Sequence, residues 1–264
     1  MKLRFVCILA GLVACGPAGV PISGIAAAQT QPAQPAISQD AASAVQQMGK
    51  TLQGKEFSFR AQTIRVFENA DAQPLHIFHT MNVLVRRPDR LAVQVTGDDG
   101  SAKLFYDGKT LTVFNATKNT YASVAAPDNL QGMLKDVVAR YNVDFPLADF
   151  VASEPGKAFL TGVTTGREVG TATIDGKPAR HLFFTQTPGI DLELWVDKDE
   201  KALPRRLIVT YRLLHGQPRF VAQFSDWNFN VHPTDAEFAF QPPAGAAKVE
   251  LTAAGVQPTG QERK

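Results

Sequence analysis

The five histidines are the side chains best suited to proton transfer or metal ligation near neutral pH, and their spacing argues against both roles. His76 and His79 form the nearest pair. On a regular strand an offset of three places them on opposite faces, so they could not grip one ion without a bulge. His181 opens an apolar strand beside Leu182 and Phe183, where a histidine serves to anchor a strand end through a hydrogen bond. His215 precedes a Gly-Gln-Pro turn and His232 precedes Pro233, so both are expected in solvent. Asp191, Glu193 and Asp197 share one face of a strand. Alternating acids there are read as its wet side and a guard against edge pairing rather than as an acid/base set. A G-x-S-x-G elbow, an H-E-x-x-H helix, a glycine-rich phosphate loop and a G-x-G-x-x-G turn are all missing. The residues therefore suggest no enzyme: no catalytic residue, no cofactor and no metal.

The chain has 264 residues, 44% hydrophobic and 20% charged, which suits a globular protein with one sizeable core. Lys2 and Arg4 head an apolar run through Cys15, the plan of a secretory signal. Cleavage after Ala28, at an A-x-A site, gives a signal of residues 1–28 and a soluble periplasmic protein. The alternative is a lipoprotein signal of residues 1–14 with Cys15 lipidated, because Leu12-Val13-Ala14-Cys15 resembles a lipobox. An uncleaved anchor fits least, since Pro17 and Pro21 interrupt the apolar run. The sequence beyond Ala28 carries 25 charges of each sign and no cysteine. It contains no basic run, which argues against nucleic acid or an anionic membrane surface as a partner.

Residues 29–37 have a linker composition. Ser38 then caps a segment with Ala42, Val45, Met48 and Leu52 at helical spacing, closed by Gly54. From Glu56 the period changes to two, and antiparallel strands follow through residue 114. Asp107-Gly108-Lys109 and Asp175-Gly176-Lys177 supply tight hairpin turns. Between the two β blocks a helical lid spans about 127–151. Asp128 is its N-cap, and Leu130, Met133, Leu134, Val137, Val138 and Tyr141 form one stripe. In residues 190–197 the even positions are aliphatic and the odd ones mostly polar, and residues 207–213 and 220–224 continue the alternation. One domain, 38–244, is expected, with a coil tail from 245 to 264. Roughly ten strands exceed one flat sheet, so a mainly β (α+β) fold with a strongly curved antiparallel sheet, a barrel or half-barrel, is expected. Its aliphatic inner face is either a packed core or a cavity.

Several segments then become specific in order: Val169-Gly170, Asp175-Gly176, His181-Leu182, Leu194-Trp195-Val196, Leu203-Pro204-Arg205-Arg206, Gly216-Gln217-Pro218 and Asp226-Trp227. Together they resemble a family of predicted periplasmic proteins of unknown function, DUF 2092, across nearly the whole chain beyond the leader. The hairpin of residues 106–114 also resembles that of the Lol-type lipoprotein carriers (LolA/LolB-like), to which that family is related. The resemblance implies an unclosed β-barrel with covering helices and a hydrophobic cavity. It supplies no catalytic residue, and no clear counterpart of the carriers' cavity arginine is found. Arg205 and Arg206 are read as surface residues at a strand start.

The resulting expectation is a non-enzymatic carrier or sensor, monomeric, whose partner is a lipid or the acyl chain of a lipoprotein. Leu91, Val93, Leu111, Val113, Leu192, Leu194, Phe220 and Phe224 would line its cavity, with Met133, Leu134 and Val137 above. The alternative is a structural or protein-interaction component of the envelope that uses a sheet edge or the face around Trp195 and Trp227.

Overall fold

The computed structural model describes residues 36–141 and 145–251. The leader with both cysteines, linker residues 29–35 and the tail beyond 251 lie outside the described residues.

Ser38 caps the first helix as its sequence suggests, accepting a hydrogen bond from Ala41 N at 3.4 Å. This helix, α1 (Gln39–Leu52), buries Ala41, Ala44, Val45, Met48 and Leu52 along one stripe. Six strands follow: β1 (Glu56–Glu68), β2 (Pro74–Arg86), β3 (Arg90–Gly97), β4 (Gly100–Tyr106), β5 (Thr110–Asn115) and β6 (Thr120–Ala125). The helical interlude comprises α2 (Leu130–Tyr141), α3 (Ala148–Val151) and α4 (Pro155–Leu160). The second block is β7 (Val163–Ile174), β8 (Lys177–Gln186), β9 (Ile190–Asp197), β10 (Pro204–Tyr211) and β11 (Arg219–Asn228), and β12 (Ala247–Lys248) closes the order.

All twelve strands join one unclosed sheet in the order β12-β6-β5-β4-β3-β2-β1-β11-β10-β9-β8-β7. Each block is a meander of hairpins, and the two blocks meet where β1 pairs antiparallel with β11. Both Asp-Gly turns form as their residue types require: Gly108 takes φ 87°, and Asp175 and Gly176 take φ 49° and 76°. Asp107 Oδ1 fixes the first by accepting from Lys109 N at 3.0 Å and Thr110 N at 2.7 Å.

Between β11 and the expected coil tail the chain stays packed on the sheet. A 3-10 turn at Asp235–Phe238 buries Phe238, and Phe240 packs on Phe105, Phe114 and Tyr121. Beyond it, Ala247 and Lys248 pair parallel to β6.

Register places Phe57, Val85, Leu91, Tyr106 and Leu111 in one cross-strand row of the inner face, with Ala222, Leu207, Leu194 and Leu182 in another. Helices α1, α3 and α4 pack on that face. Phe150 of α3 sits 5.0 Å from Phe224, and Phe159 of α4 sits 5.5 Å from Phe184, measured between ring centroids. Where α1 crosses α4, Gly49 and Gly156 touch, and a Cβ on Gly49 would lie 2.6 Å from Gly156 N. Only glycine allows backbones that close.

Candidate functional site

The inner face is aliphatic because successive strands contribute every second residue to it. Its exposure changes along the strands in one direction. On β9 it rises from 0% at Leu194 to 6% at Leu192 and then to partly exposed Ile190. On β3 it rises from 1% at Leu91 to 4% at Val93 and then to partly exposed Val95. Val85 to Met81 on β2, Leu207 to Tyr211 on β10 and Leu111 to Val113 on β5 follow the same trend. By register these residues all run toward the end that carries the β1–β2, β3–β4, β5–β6, β8–β9 and β10–β11 turns. The concavity is therefore sealed by its own side chains at one end, and at the other, open end its side chains stay partly exposed while packing against the same core.

Of the residues expected to line a cavity, Leu91, Val93, Leu111, Met133, Leu192, Leu194, Phe220 and Phe224 are buried in this one core. Val113 is partly exposed at the open end, and Leu134 and Val137 pack, partly exposed, against the same core. Helix α2 is attached at the closed end. Leu130 N donates to Pro88 O at 2.9 Å, Tyr106 Oη donates to Pro127 O, and Arg140 Nη2 donates to Ala125 O at 3.1 Å. Burial pushes the Tyr106 phenol up to about 12, so it remains a donor at neutral pH. Asn129, not Asp128, caps α2, accepting from Gly132 N at 2.8 Å. Either residue type suits an N-cap, and only the helix start decides between them.

Arg87 is a functional candidate that no sequence motif marks. From the end of β2 it donates to Leu52 O at 2.8 Å and Val151 O at 2.5 Å, tying the C-termini of α1 and α3 to the sheet. Its guanidinium lies 5.5 Å over the Phe57 ring, and burial pushes its pKa down to about 10, which leaves it charged at pH 7.

The face with Asp191, Glu193 and Asp197 is less wet than its residue types suggest. Asp191 meets Arg212 at 2.9 Å and Glu193 meets His181 at 2.9 Å, which gives His181 its anchoring bond. A register shift between Pro204 and Arg206 lets Arg205 reach Asp197, so both are largely buried as a bidentate pair at 2.7 and 2.6 Å. This corrects the reading of Arg205 as a surface residue. Arg206 does stack, 5.4 Å over Trp195. Trp195 is held between Arg206 and the His181 ring, 4.0 Å away, and is 7% exposed. Trp227 packs among Phe57, Phe59, Phe224 and Phe229. Trp195 thus has little exposed face, while Trp227 stays partly exposed on the lining of a hollow at the closed end.

His79 bonds Asp99 at 2.7 Å, while His76 is exposed three strand positions past His79, where β2–β3 pairing ends. Among the described residues no group of three or more His, Cys, Asp or Glu is placed to hold a metal ion. Hollows of about 490 and 420 Å3 lie over the outer face, around Arg60 and Asn82 and around Gln62 and Thr80. A third, about 630 Å3 and polar, lies at the closed end around Lys177, Asp199, Lys201 and Arg205.

One buried acid lies in the helix layer. Burial pushes the Asp149 carboxyl in α3 up to about 6. Because its folded pKa lies above the ordinary value, the stability it permits is complete at low pH and is lost as pH rises through about 6. Asp149→Asn is expected to flatten that dependence and to raise stability at pH 7 by about 2 kcal/mol. Urea unfolding at pH 5 and pH 7.5 checks this; equal losses in both proteins would contradict it.

The sequence matches the family model described as Predicted periplasmic protein (DUF2092) over residues 41–252. No curated protein matches it. Among solved structures it is similar to an uncharacterized conserved protein from Thermus thermophilus, with 11% identity, a TM-score of 0.48, and coverage of 80% of this chain and 99% of that one. It is also similar to the Mycobacterium tuberculosis lipoprotein LppX, with 18% identity, a TM-score of 0.45 and coverage of 72% and 96%. A LolA superfamily protein from Nitrosomonas europaea gives 14% identity, a TM-score of 0.38 and coverage of 76% and 98%. No helix among the described residues is long and apolar enough to cross a membrane.

Proposed function

This chain belongs to the DUF2092 family of predicted periplasmic proteins, and from that premise we propose that it shelters the hydrocarbon chain of a lipid or acylated ligand, without catalysis. The observation that carries this reading is the one-way rise in exposure along the inner face. Apolar surface that the protein leaves partly wet on its concave side is where such a chain would rest. Here Met81, Val95, Val113, Ile190 and Tyr211 remain partly exposed on the concave side.

Binding of this kind requires area more than polar groups, since each buried methylene contributes about 0.8 kcal/mol. A tail entering at the open end would lie on Val95 and Val113 and displace water from both. Fuller enclosure would require buried side chains to part, among them Leu192 and Val93, which shares a cross-strand row with Val113, so Leu192 and Leu194 are core positions rather than a preformed wall.

The test places bulk at the mouth. Leu194 has no exposed surface, so a tryptophan there would overpack the core and confuse folding with binding. Val113→Trp fills partly exposed space instead. A fluorescent fatty-acid probe is expected to bind the wild type and to bind Val113→Trp at least about tenfold more weakly, with the same thermal midpoint. Equal binding by both proteins would refute the proposed entry point.

A further inference from the structure

The open end carries a second feature that the binding reading does not use. Leu213 and Leu214, in the β10–β11 turn, are 73% and 57% exposed, and Leu75 beside the β1–β2 turn is also exposed. Isolated exposed leucines need no explanation, but two in succession on one turn do.

These leucines are held outward by a built turn. Leu214 N donates to Tyr211 O at 3.2 Å and Gln217 N donates to Leu214 O at 3.0 Å. Arg212 N donates to Gly189 O at 2.9 Å, and a Cβ on Gly189 would strike Leu213, so the turn leans on the neighbouring β8–β9 turn. On its other side His215 meets Glu68 at the end of β1 at 3.3 Å. The leucine pair thus stands on the rim of the open end, two residues past Tyr211, whose strand contributes to the inner face. Arg212, His215 and Arg219 are exposed around it.

We propose that this rim docks on the surface of a phospholipid bilayer, with Leu213 and Leu214 entering the boundary between headgroups and acyl chains. An apolar tip flanked by Arg212 and Arg219 suits that boundary, where arginine stems lie along apolar surface and their heads stay wet. A protein partner fits less well, because a tip of two leucines is far smaller than the roughly 800 Å2 per side of a stable protein interface. The docking is apolar rather than electrostatic: Arg212 is already paired with Asp191, and the chain has no basic run. This inference rests on the proposed lipid-binding reading, since docking at this end would put the mouth against the source of the tail. A lipid chain could then enter without crossing water.

The experiment is flotation of the full protein with phosphatidylcholine vesicles, comparing the wild type with the double variant Leu213→Asp, Leu214→Asp. Both carry the same N-terminus, so any anchor there contributes equally. The wild type is expected to float with the vesicles, little changed by added salt, and the variant to partition at least about tenfold more weakly with an unchanged far-ultraviolet spectrum. Equal flotation of both proteins, or none of either, overturns the proposal. So does wild-type self-association in sedimentation that the variant loses, which would make the turn a protein interface. Binding of a monomeric fatty-acid probe, measured separately, tells the two readings apart. A variant that keeps probe binding while both proteins float equally loses only the docking, and a wild type that floats but binds no probe loses only the cleft.

Discussion

Replacing Arg87 with alanine is expected to lower the unfolding free energy by about 3 kcal/mol, the loss associated with stripping buried groups of a charged hydrogen-bond partner. The last carbonyls of a helix have no partner within it and carry its negative end. Arg87 supplies a cation to two such ends, at Leu52 and Val151, and rests on the Phe57 ring. Alanine leaves both carbonyls and a gap above that ring. Urea unfolding should show a lower midpoint with an unchanged slope, because the two-state surface change stays the same. Arg87→Lys should recover less than half of the loss, since one ammonium on a flexible stem cannot fork to two carbonyls as a guanidinium does. A loss below about 1 kcal/mol for the alanine variant would mean that the helix layer is held by packing alone.

The second large effect is expected at Asp197. Its carboxylate is almost wholly enclosed and takes both Nε and Nη2 of Arg205. Asp197→Ala removes both acceptors of a guanidinium that otherwise faces only the polar hollow beside Lys177 and Asp199, a change expected to cost about 3 kcal/mol. Removing both charges together is a different experiment. Asp197→Leu combined with Arg205→Met should fall within about 2 kcal/mol of the wild type, because the desolvation of two ions disappears along with their attraction. Equilibrium unfolding of the three proteins checks the pattern. Equal damage from the single and double replacements would show that the bulge geometry, rather than the charge pair, holds β9 to β10.

Much of the architecture was legible because its signals are local. Ser38 caps α1, the two Asp-Gly turns make hairpins, and the even positions of β9 face inward, each following from residue type and period alone. What escaped depends on contacts distant in sequence. Asp197 reads as one more wet acid in an alternating strand, and only the register shift in β10 brings Arg205 across to enclose it. Arg87 sits next to a proline in a turn with no pattern to flag its reach to Leu52 and Val151. Phe238 and Phe240 stand in a proline-containing segment without periodicity, so nothing local reveals that they pack on the outer side of the sheet. For the candidate site, alternation identified which residues face inward. It could not tell Leu194 from Ile190, because sequence period reports the face of a strand and not the depth along it.

The measurement closest to the central claim is native mass spectrometry of protein purified from the periplasm without detergent. A second species heavier by one lipid or fatty acid is expected, released on mild activation and diminished in Val113→Trp. A single unliganded mass, together with no binding of added fatty-acid probe, would contradict it, and the inner face would then be a core and nothing more.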